Sequence, residues 1–171
     1  MTRLRIVLAA QLLFFVAWGG WLLSSKNTDS AEFYLETVPV DPRDLLSGTY
    51  VALTYGISNP QAGNCPAVLN SNPVFFVKLE NRGKVANTPD GTAAVYEATD
   101  CAEEAPGGET GWVRAEAAGG FNSRFSARYG IERFYLNEND PRKDARSGSV
   151  IAKVKIDRRS RLVLLDLAKK L

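Results

Sequence analysis

The sequence contains no histidine, only two cysteines and a single methionine among its 171 residues. Without histidine the chain cannot form a Ser-His-Asp triad, a Cys-His pair or a histidine-ligated metal site. Two cysteines alone are too few ligands for a metal site. A glycine-rich phosphate-binding loop and internal repeats are also absent from the sequence. The sequence therefore predicts no metal and no other cofactor, and it offers no obvious catalytic residue.

The charge of the chain is unevenly distributed, although the net charge is only +2. Residues 80–117 contain eight acidic and three basic residues, whereas residues 141–161 contain eight basic and two acidic ones. Either these are solvated faces of opposite sign, or the basic end contacts anionic headgroups or an acidic partner. The aromatic residues do not alternate with basic ones as they would in a nucleic-acid groove, so we expect no nucleic acid as a partner.

One long apolar run, LRIVLAAQLLFFVAWGGWLL, occupies residues 4–23. A helix of this length spans about 30 Å, the thickness of the hydrocarbon core of a bilayer. Arg3 precedes the run and Arg5 is its second residue, and Trp18 and Trp21 lie near its far end, where indoles favour a membrane interface. The sequence therefore predicts a single-pass transmembrane helix.

This span predicts two parts, an N-terminal anchor in residues 1–27 and an extracytoplasmic domain in residues 28–171. We expect the N-terminus to be cytoplasmic and the C-terminal domain to be periplasmic or lumenal. A cleaved signal peptide is the alternative, but bulky residues stand where a cleavage site needs small ones. Gln11 interrupts the apolar run, and its amide is either tolerated in lipid or bonded to a neighbouring helix.

Beyond residue 30, short apolar runs alternate with Gly, Pro, Asn and Asp, which is typical of strands and turns. We expect a mainly β, small antiparallel domain, barrel- or sandwich-like, with one or two short helical turns. The most secure hairpin joins residues 150–156 to residues 162–167 through a turn at residues 157–160, because apolar and polar residues alternate in its first strand. The candidate strands are Phe33–Val38, Tyr50–Ile57, Val74–Glu80, Ala93–Ala98, Trp112–Ala117, Ser123–Tyr129, Glu132–Leu136, Val150–Ile156 and Leu162–Asp166.

Cys65 and Cys101 lie in two segments with the composition of loops, residues 59–73 and 99–111. In an oxidising compartment two such cysteines favour a disulfide, and the alternative is two independent thiols. Closing this loop stabilises a fold by roughly 3–4 kcal/mol in the chain-entropy description of disulfides.

The densest local signal is the segment DPRDLLSGTY at residues 41–50. It predicts one helical turn that leads directly into a strand. In that strand alternate side chains share a face, so we expect residues 51, 53, 55 and 57 on one side. Asp41 would be the N-cap and Pro42 would occupy the first helical position. Asp44 would place a carboxylate in the first turn, and Gly48 would provide the left-handed exit.

The string GTYVALTY at residues 48–55 resembles the motif that names the GDYXXLXY family of bacterial membrane-anchored proteins. The lead-in DPRDLL at residues 41–46 and the block YGIERFY at residues 129–135 also resemble that family, so the likeness covers most of the chain. Thr49 departs from the pattern, because the family's name has Asp at that position. The shared motif residues are Asp41, Pro42, Arg43, Asp44, Gly48, Tyr50, Leu53, Tyr55, Tyr129, Gly130 and Glu132.

The resemblance implies a membrane-anchored protein of no established activity, often encoded beside a multi-pass membrane protein. Our preferred expectation is a non-enzymatic accessory or scaffold protein that docks on a polytopic membrane protein or a larger membrane complex. Residues 4–23 would contact the lipid bilayer. The second expectation is a binding module for cell-envelope glycan or peptide that uses the faces of Tyr50, Tyr55 and Tyr129. The sequence specifies no small-molecule ligand.

A third expectation is a hydrolase in which Asp44 and Glu132 act as acid and base. Structural roles are favoured for both carboxylates, because Asp44 suits a helix cap and Glu132 suits an ion pair with Arg43 or Arg133. Gly130 indicates a bend that admits no side chain.

Overall fold

The computed structural model describes residues 2–26, 31–38, 50–89, 91–119, 125–135 and 148–170. The chain divides into two compact units, Met1–Ser30 and Ala31–Leu171.

The first unit contains helix α1, Thr2–Lys26. Large apolar side chains along this helix are between 50% and 69% exposed. They follow no helical period, so the helix has no polar face. The exposed apolar side chains are Ile6, Val7, Leu8, Leu12, Leu13, Phe14, Phe15, Val16, Trp18 and Trp21.

Within the described part of the chain, no helix combines the length and the apolarity that crossing a membrane requires. The predicted transmembrane anchor is therefore wrong. The localisation that rested on it, single-pass with a cytoplasmic N-terminus and a periplasmic or lumenal C-terminal domain, is wrong as well. The physical reason lies in the composition of residues 4–23, since the prediction counted a guanidinium, an amide, indoles and glycines as parts of one apolar run. Contact of these residues with a lipid bilayer stays a prediction.

The second unit is built mainly from strands, which confirms the mainly β character expected from the sequence. It also contains a 3-10 turn at Gly56–Ser58 and helix α2 at Cys65–Ser71. The strands are β1 (Phe33–Val38), β2 (Tyr50–Ala52), β3 (Thr54–Tyr55), β4 (Val74–Glu80), β5 (Val85–Thr88), β6 (Gly91–Ala102), β7 (Trp112–Gly119), β8 (Phe125–Arg128), β9 (Arg133–Tyr135), β10 (Val150–Ile156) and β11 (Leu162–Lys169).

Nine of these strands form one sheet in the order β11-β10-β1-β6-β4-β7-β8, with β3 paired to β1 and β5 paired to β6. Strands β2 and β9 form a separate antiparallel ladder. Strands β1 and β6 run parallel, whereas every other described pair is antiparallel. The prediction of a purely antiparallel domain is therefore wrong. The long connection between β1 and β6 allows the chain to return in the same direction, and no local pattern reveals such a pairing.

The hairpin of β10 and β11 is confirmed, with a register that runs from Val150 opposite Lys169 to Ile156 opposite Leu162. Its turn is fixed by Asp157, whose carboxylate accepts the backbone N–H groups of Arg159 and Arg161, each at 2.8 Å. The expected alternation fails at the start of β10, because both faces of this strand are covered there. Val150 and Ala152 belong to the main core cluster, and Ile151 belongs to a second buried cluster on the other face.

Each of the two segments expected to be loops contains some regular secondary structure. Residues 59–73 contain helix α2, and residues 99–111 begin inside β6. Cys65 therefore lies at the start of a helix and Cys101 lies in a strand. Their disulfide is confirmed, with a distance of 1.98 Å between the two Sγ atoms. A helix of seven residues is too short for its apolar period to be recognised in the sequence.

Candidate functional site

The lead-in of the first motif lies outside the described residues. This applies to Asp41, Pro42, Arg43, Asp44 and Gly48. The helical turn expected there, and an ion pair between Arg43 and Glu132, stay predictions.

The two motif segments are joined by reciprocal tyrosine hydrogen bonds, which we call the tyrosine clasp (Tyr55, Ile57, Tyr129 and Ile131). The hydroxyl of Tyr55 donates to the carbonyl oxygen of Ile131 at 2.6 Å. The hydroxyl of Tyr129 donates to the carbonyl oxygen of Ile57 at 2.7 Å. All four residues are buried, so each phenol places its only polar atom on a backbone carbonyl that water does not reach.

Further backbone contacts tighten this junction. The N–H of Leu53 donates to the carbonyl oxygen of Glu132 at 2.8 Å, and the Leu53 side chain is 2% exposed. The carboxylate of Glu132 accepts the backbone N–H of Tyr129 at 2.6 Å. This bond spans the bend at Gly130, whose φ is +80°. A Cβ at Gly130 would meet open space, so the left-handed backbone selects glycine there, rather than the crowding that the sequence suggested.

The clasp tyrosines are poor proton-transfer groups. Burial raises the pKa of the Tyr55 hydroxyl far above its usual value, and the negative charge of Glu132 raises it further. The same two causes, in the same order, raise the pKa of Tyr129. Both phenols therefore stay neutral at physiological pH, and the clasp has the chemistry of a structural junction.

A cleft of about 600 Å³ opens on the outer side of the same segment. We call it the arginine cleft, because among the described residues four arginines and two carboxylates line it. The arginines lie on β7, β8 and β9 and directly before β11, so well-ordered strands position them. The cleft is lined by Arg114, Glu116, Arg128, Tyr129, Gly130, Glu132, Arg133, Tyr135 and Arg161.

Two of the four arginines have carboxylate partners. The Nη2 atom of Arg114 lies 3.6 Å from Oε1 of Glu116. Arg161 donates from Nε at 2.9 Å and from Nη2 at 2.8 Å to Oδ2 of Asp157. Burial alone would raise the pKa of Asp157, but hydrogen bonds from Arg161 and Arg159 outweigh it and lower that pKa.

The other two arginines, Arg128 and Arg133, make no ion pair within the described part of the chain. Arg128 stands opposite Glu116 in the register of β7 and β8. The guanidinium of Arg133 lies 5.0 Å from the ring centre of Tyr50, whose ring centre lies 5.7 Å from that of Tyr135. Tyr50 thus serves as a half-buried aromatic support for a cleft arginine.

A second cleft, of about 270 Å³, provides a contrast. Lys84 in the wall of this cleft lies 2.7 Å from Glu36 and 2.7 Å from Glu97, so the charged side chains of this cleft are paired with one another. Hydrogen bonds from Lys170 and Lys84 lower the pKa of Glu36. The arginine cleft, with its surplus of cations, is the better candidate for a binding site.

The sequence did not identify the cleft arginines as a group. Of these four, only Arg161 lies in the basic segment at residues 141–161. Arg133 is part of the family-like block at residues 129–135, where it is a candidate ion-pair partner of Glu132. The cleft does place Tyr129, Gly130 and Glu132 together, which the family-like block suggested. Among the described residues, no three side chains of the metal-ligating types form a group that could hold an ion.

Comparison with known proteins identifies the family but adds no activity. Neither a curated protein nor a solved structure matches the chain. The model of one protein family, described as GDYXXLXY protein, matches residues 12–167, which include both motif segments, the disulfide and nearly all of the terminal hairpin. The chain therefore belongs to the GDYXXLXY family.

Proposed function

We propose that this protein is a non-enzymatic accessory protein that docks on a partner protein through helix α1. The single observation that carries the proposal is the row of large apolar side chains on α1 that are between 50% and 69% exposed. A contiguous apolar surface of this kind in water is unfavourable and marks a protein contact.

The occupant that suits α1 is a set of apolar helices from a different protein. Because α1 has no polar face, a partner would contact it on several sides, as helices of a bundle do. Phe14, Phe15 and Trp18 form an aromatic cluster with ring centres 5.8–6.5 Å apart. Aromatic anchors of this type contribute most of the energy at protein interfaces. The exposed amide of Gln11 would need a hydrogen-bond partner on the facing helix.

The partner class implied by the family resemblance, a polytopic membrane protein or a larger membrane complex, is part of this proposal. The non-enzymatic character is supported by the engagement of Glu132 with a backbone amide and by the neutral, buried clasp tyrosines. Among the described residues, nothing supports a hydrolase that uses Asp44 and Glu132.

A photo-crosslinking amino acid at Leu13, which is 69% exposed on α1, tests the docking directly. The matched control places the same group at Val85, which is 59% exposed on β5. In the cells that naturally produce the protein, we expect a discrete adduct with one partner protein from position 13 and none from position 85. Replacing Phe14 and Trp18 by serine should remove most of that adduct.

Recovery of the uncrosslinked monomer from both positions would contradict the proposal. So would an adduct of two copies of this chain, because α1 would then serve self-association. An equal yield from Leu13 and Val85 would show non-specific contact and would contradict it as well.

The binding-module alternative keeps one supporting observation. A module of this kind needs a concave site beside one of its tyrosines, and the arginine cleft has Tyr129 in its wall. This makes an envelope-glycan or peptide module the second candidate function.

A further inference from the structure

We propose that the arginine cleft binds a small ligand that carries oxyanion groups, either carboxylates or phosphates. This site is separate from the docking of α1, and it concerns only residues of the second unit.

The first support is the balance of charge. Among the described residues, four guanidinium groups line the cleft against two carboxylates, and Asp157 engages one of these arginines without being part of that lining. One oxygen of the Glu132 carboxylate accepts the backbone N–H of Tyr129 at 2.6 Å, which holds this carboxylate at the bend. Within the described part of the chain, Arg128 and Arg133 have exposed donors and no ion-pair partner.

The second support is the arrangement of the donors. A guanidinium presents planar, paired N–H groups that match the two oxygens of a carboxylate or phosphate. Arg161 is oriented by Asp157, Arg133 by the ring of Tyr50, and Arg114 by Glu116. Because these contacts restrict the side chains before any ligand arrives, less conformational entropy is lost on binding.

The third support is size and surface. A volume of about 600 Å³ falls within the range of about 300–1,000 Å³ typical of small-molecule sites. Tyr135, which is 67% exposed, offers an aromatic face at the cleft for the uncharged part of the ligand. These features favour a small oxyanion compound over a long polyanion such as a nucleic acid, which would need a continuous basic track.

The test is a titration of the full chain, labelled with ¹⁵N, with citrate in one arm and pyrophosphate in the other. Chemical shifts of the arginine Nε–H groups and of the backbone amides of β8 and β9 report binding. We expect saturable shifts confined to the cleft. Arg128→Gln and Arg133→Gln should each weaken binding about tenfold, since each removes a charge-assisted hydrogen-bond donor.

The matched control is Arg82→Gln, which removes the same charge from an exposed position outside the cleft. It should leave the affinity within about twofold of the original. Tighter binding of citrate identifies a carboxylate ligand, and tighter binding of pyrophosphate identifies a phosphate ligand. Backbone spectra of the variants establish that each one is folded.

Two results would overturn the inference. One is the absence of any saturable shift at the cleft with either probe. The other is an equal loss of affinity in Arg82→Gln and Arg128→Gln, because binding would then follow total charge and not the cleft.

Discussion

The tyrosine clasp and the arginine cleft share one stretch of chain, residues 129–135, yet their polar groups differ in burial and in pairing. In the clasp both hydroxyls are buried and each is bonded to a backbone carbonyl. In the cleft the guanidiniums are exposed, and those of Arg128 and Arg133 have no ion-pair partner among the described residues. The comparison teaches that one short block stabilises the fold with its inward side chains and presents charge with its outward ones.

The burial of the side chains along this block shows how it can do both. Tyr129 and Ile131 are buried, whereas Gly130 and Arg133 are exposed. The buried pair lies before Glu132, around the bend at Gly130, whereas Arg133 opens strand β9, so substitution of a residue of one kind should leave the other kind intact. Stability and ligand binding should therefore be separable by mutation.

The largest expected effect on the clasp side comes from Leu53→Ala. Leu53 is 2% exposed in the core beside the clasp, so the truncation leaves a cavity and should lower the free energy of unfolding by about 2–5 kcal/mol. Urea denaturation followed by circular dichroism measures it. Val85→Ala, at a position 59% exposed, is the control and should change this free energy by less than about 0.5 kcal/mol. Equal effects of the two substitutions would contradict the packing described for Leu53.

A smaller effect is expected from the clasp hydroxyls. Tyr129→Phe removes the hydrogen bond to the carbonyl of Ile57 and should lower the free energy of unfolding by about 1–3 kcal/mol, because that carbonyl is buried. Tyr135→Phe, at a hydroxyl on a side chain 67% exposed, is the control and should be nearly neutral.

The same hydroxyl predicts a dependence on alkaline pH. The pKa of Tyr129 is raised in the folded state by burial, whereas in the unfolded chain it has its usual value of 10.0. As the pH rises, the unfolded state therefore releases the proton first. The contribution of the neutral phenol to the free energy of unfolding is fully present below pH 10 and is lost as the pH rises above that value. The stability difference between the original protein and Tyr129→Phe should shrink above that pH. A constant difference would show that the hydroxyl titrates normally.

The smallest expected effect on stability belongs to the cleft side. Arg128→Gln should change the free energy of unfolding by less than about 0.5 kcal/mol, because the side chain is exposed and makes no ion pair among the described residues. Thermal unfolding of this variant beside Tyr129→Phe measures the contrast. A loss above about 1 kcal/mol would mean that the cleft arginines hold the fold together and would remove the separation between the two regions.

The fold was predictable where a pattern is local. Strands Phe33–Val38, Val74–Glu80 and Val150–Ile156 have the expected bounds. Leu53 and Tyr55 lie on the buried face that the alternation indicated. The disulfide followed from two cysteines in a chain with no other partner for either.

The prediction failed where a pattern has more than one physical meaning. An apolar run of twenty residues fits several environments, so its length alone does not identify a membrane span. Helix α2 has seven residues, too few for a recognisable period. The parallel pairing of β1 with β6 joins residues far apart in the chain, and propensity carries no information on such a pairing.

The sequence by itself determined the mainly β domain, the terminal hairpin, the cysteine pair and the family, because each depends on residue types at short or counted spacings. Only the tertiary structure decided that two tyrosines exchange hydrogen bonds across the motif segments and that four scattered arginines surround one cleft. Those features depend on the order and register of strands, which are selected by packing of the whole core rather than by any local stretch of residues.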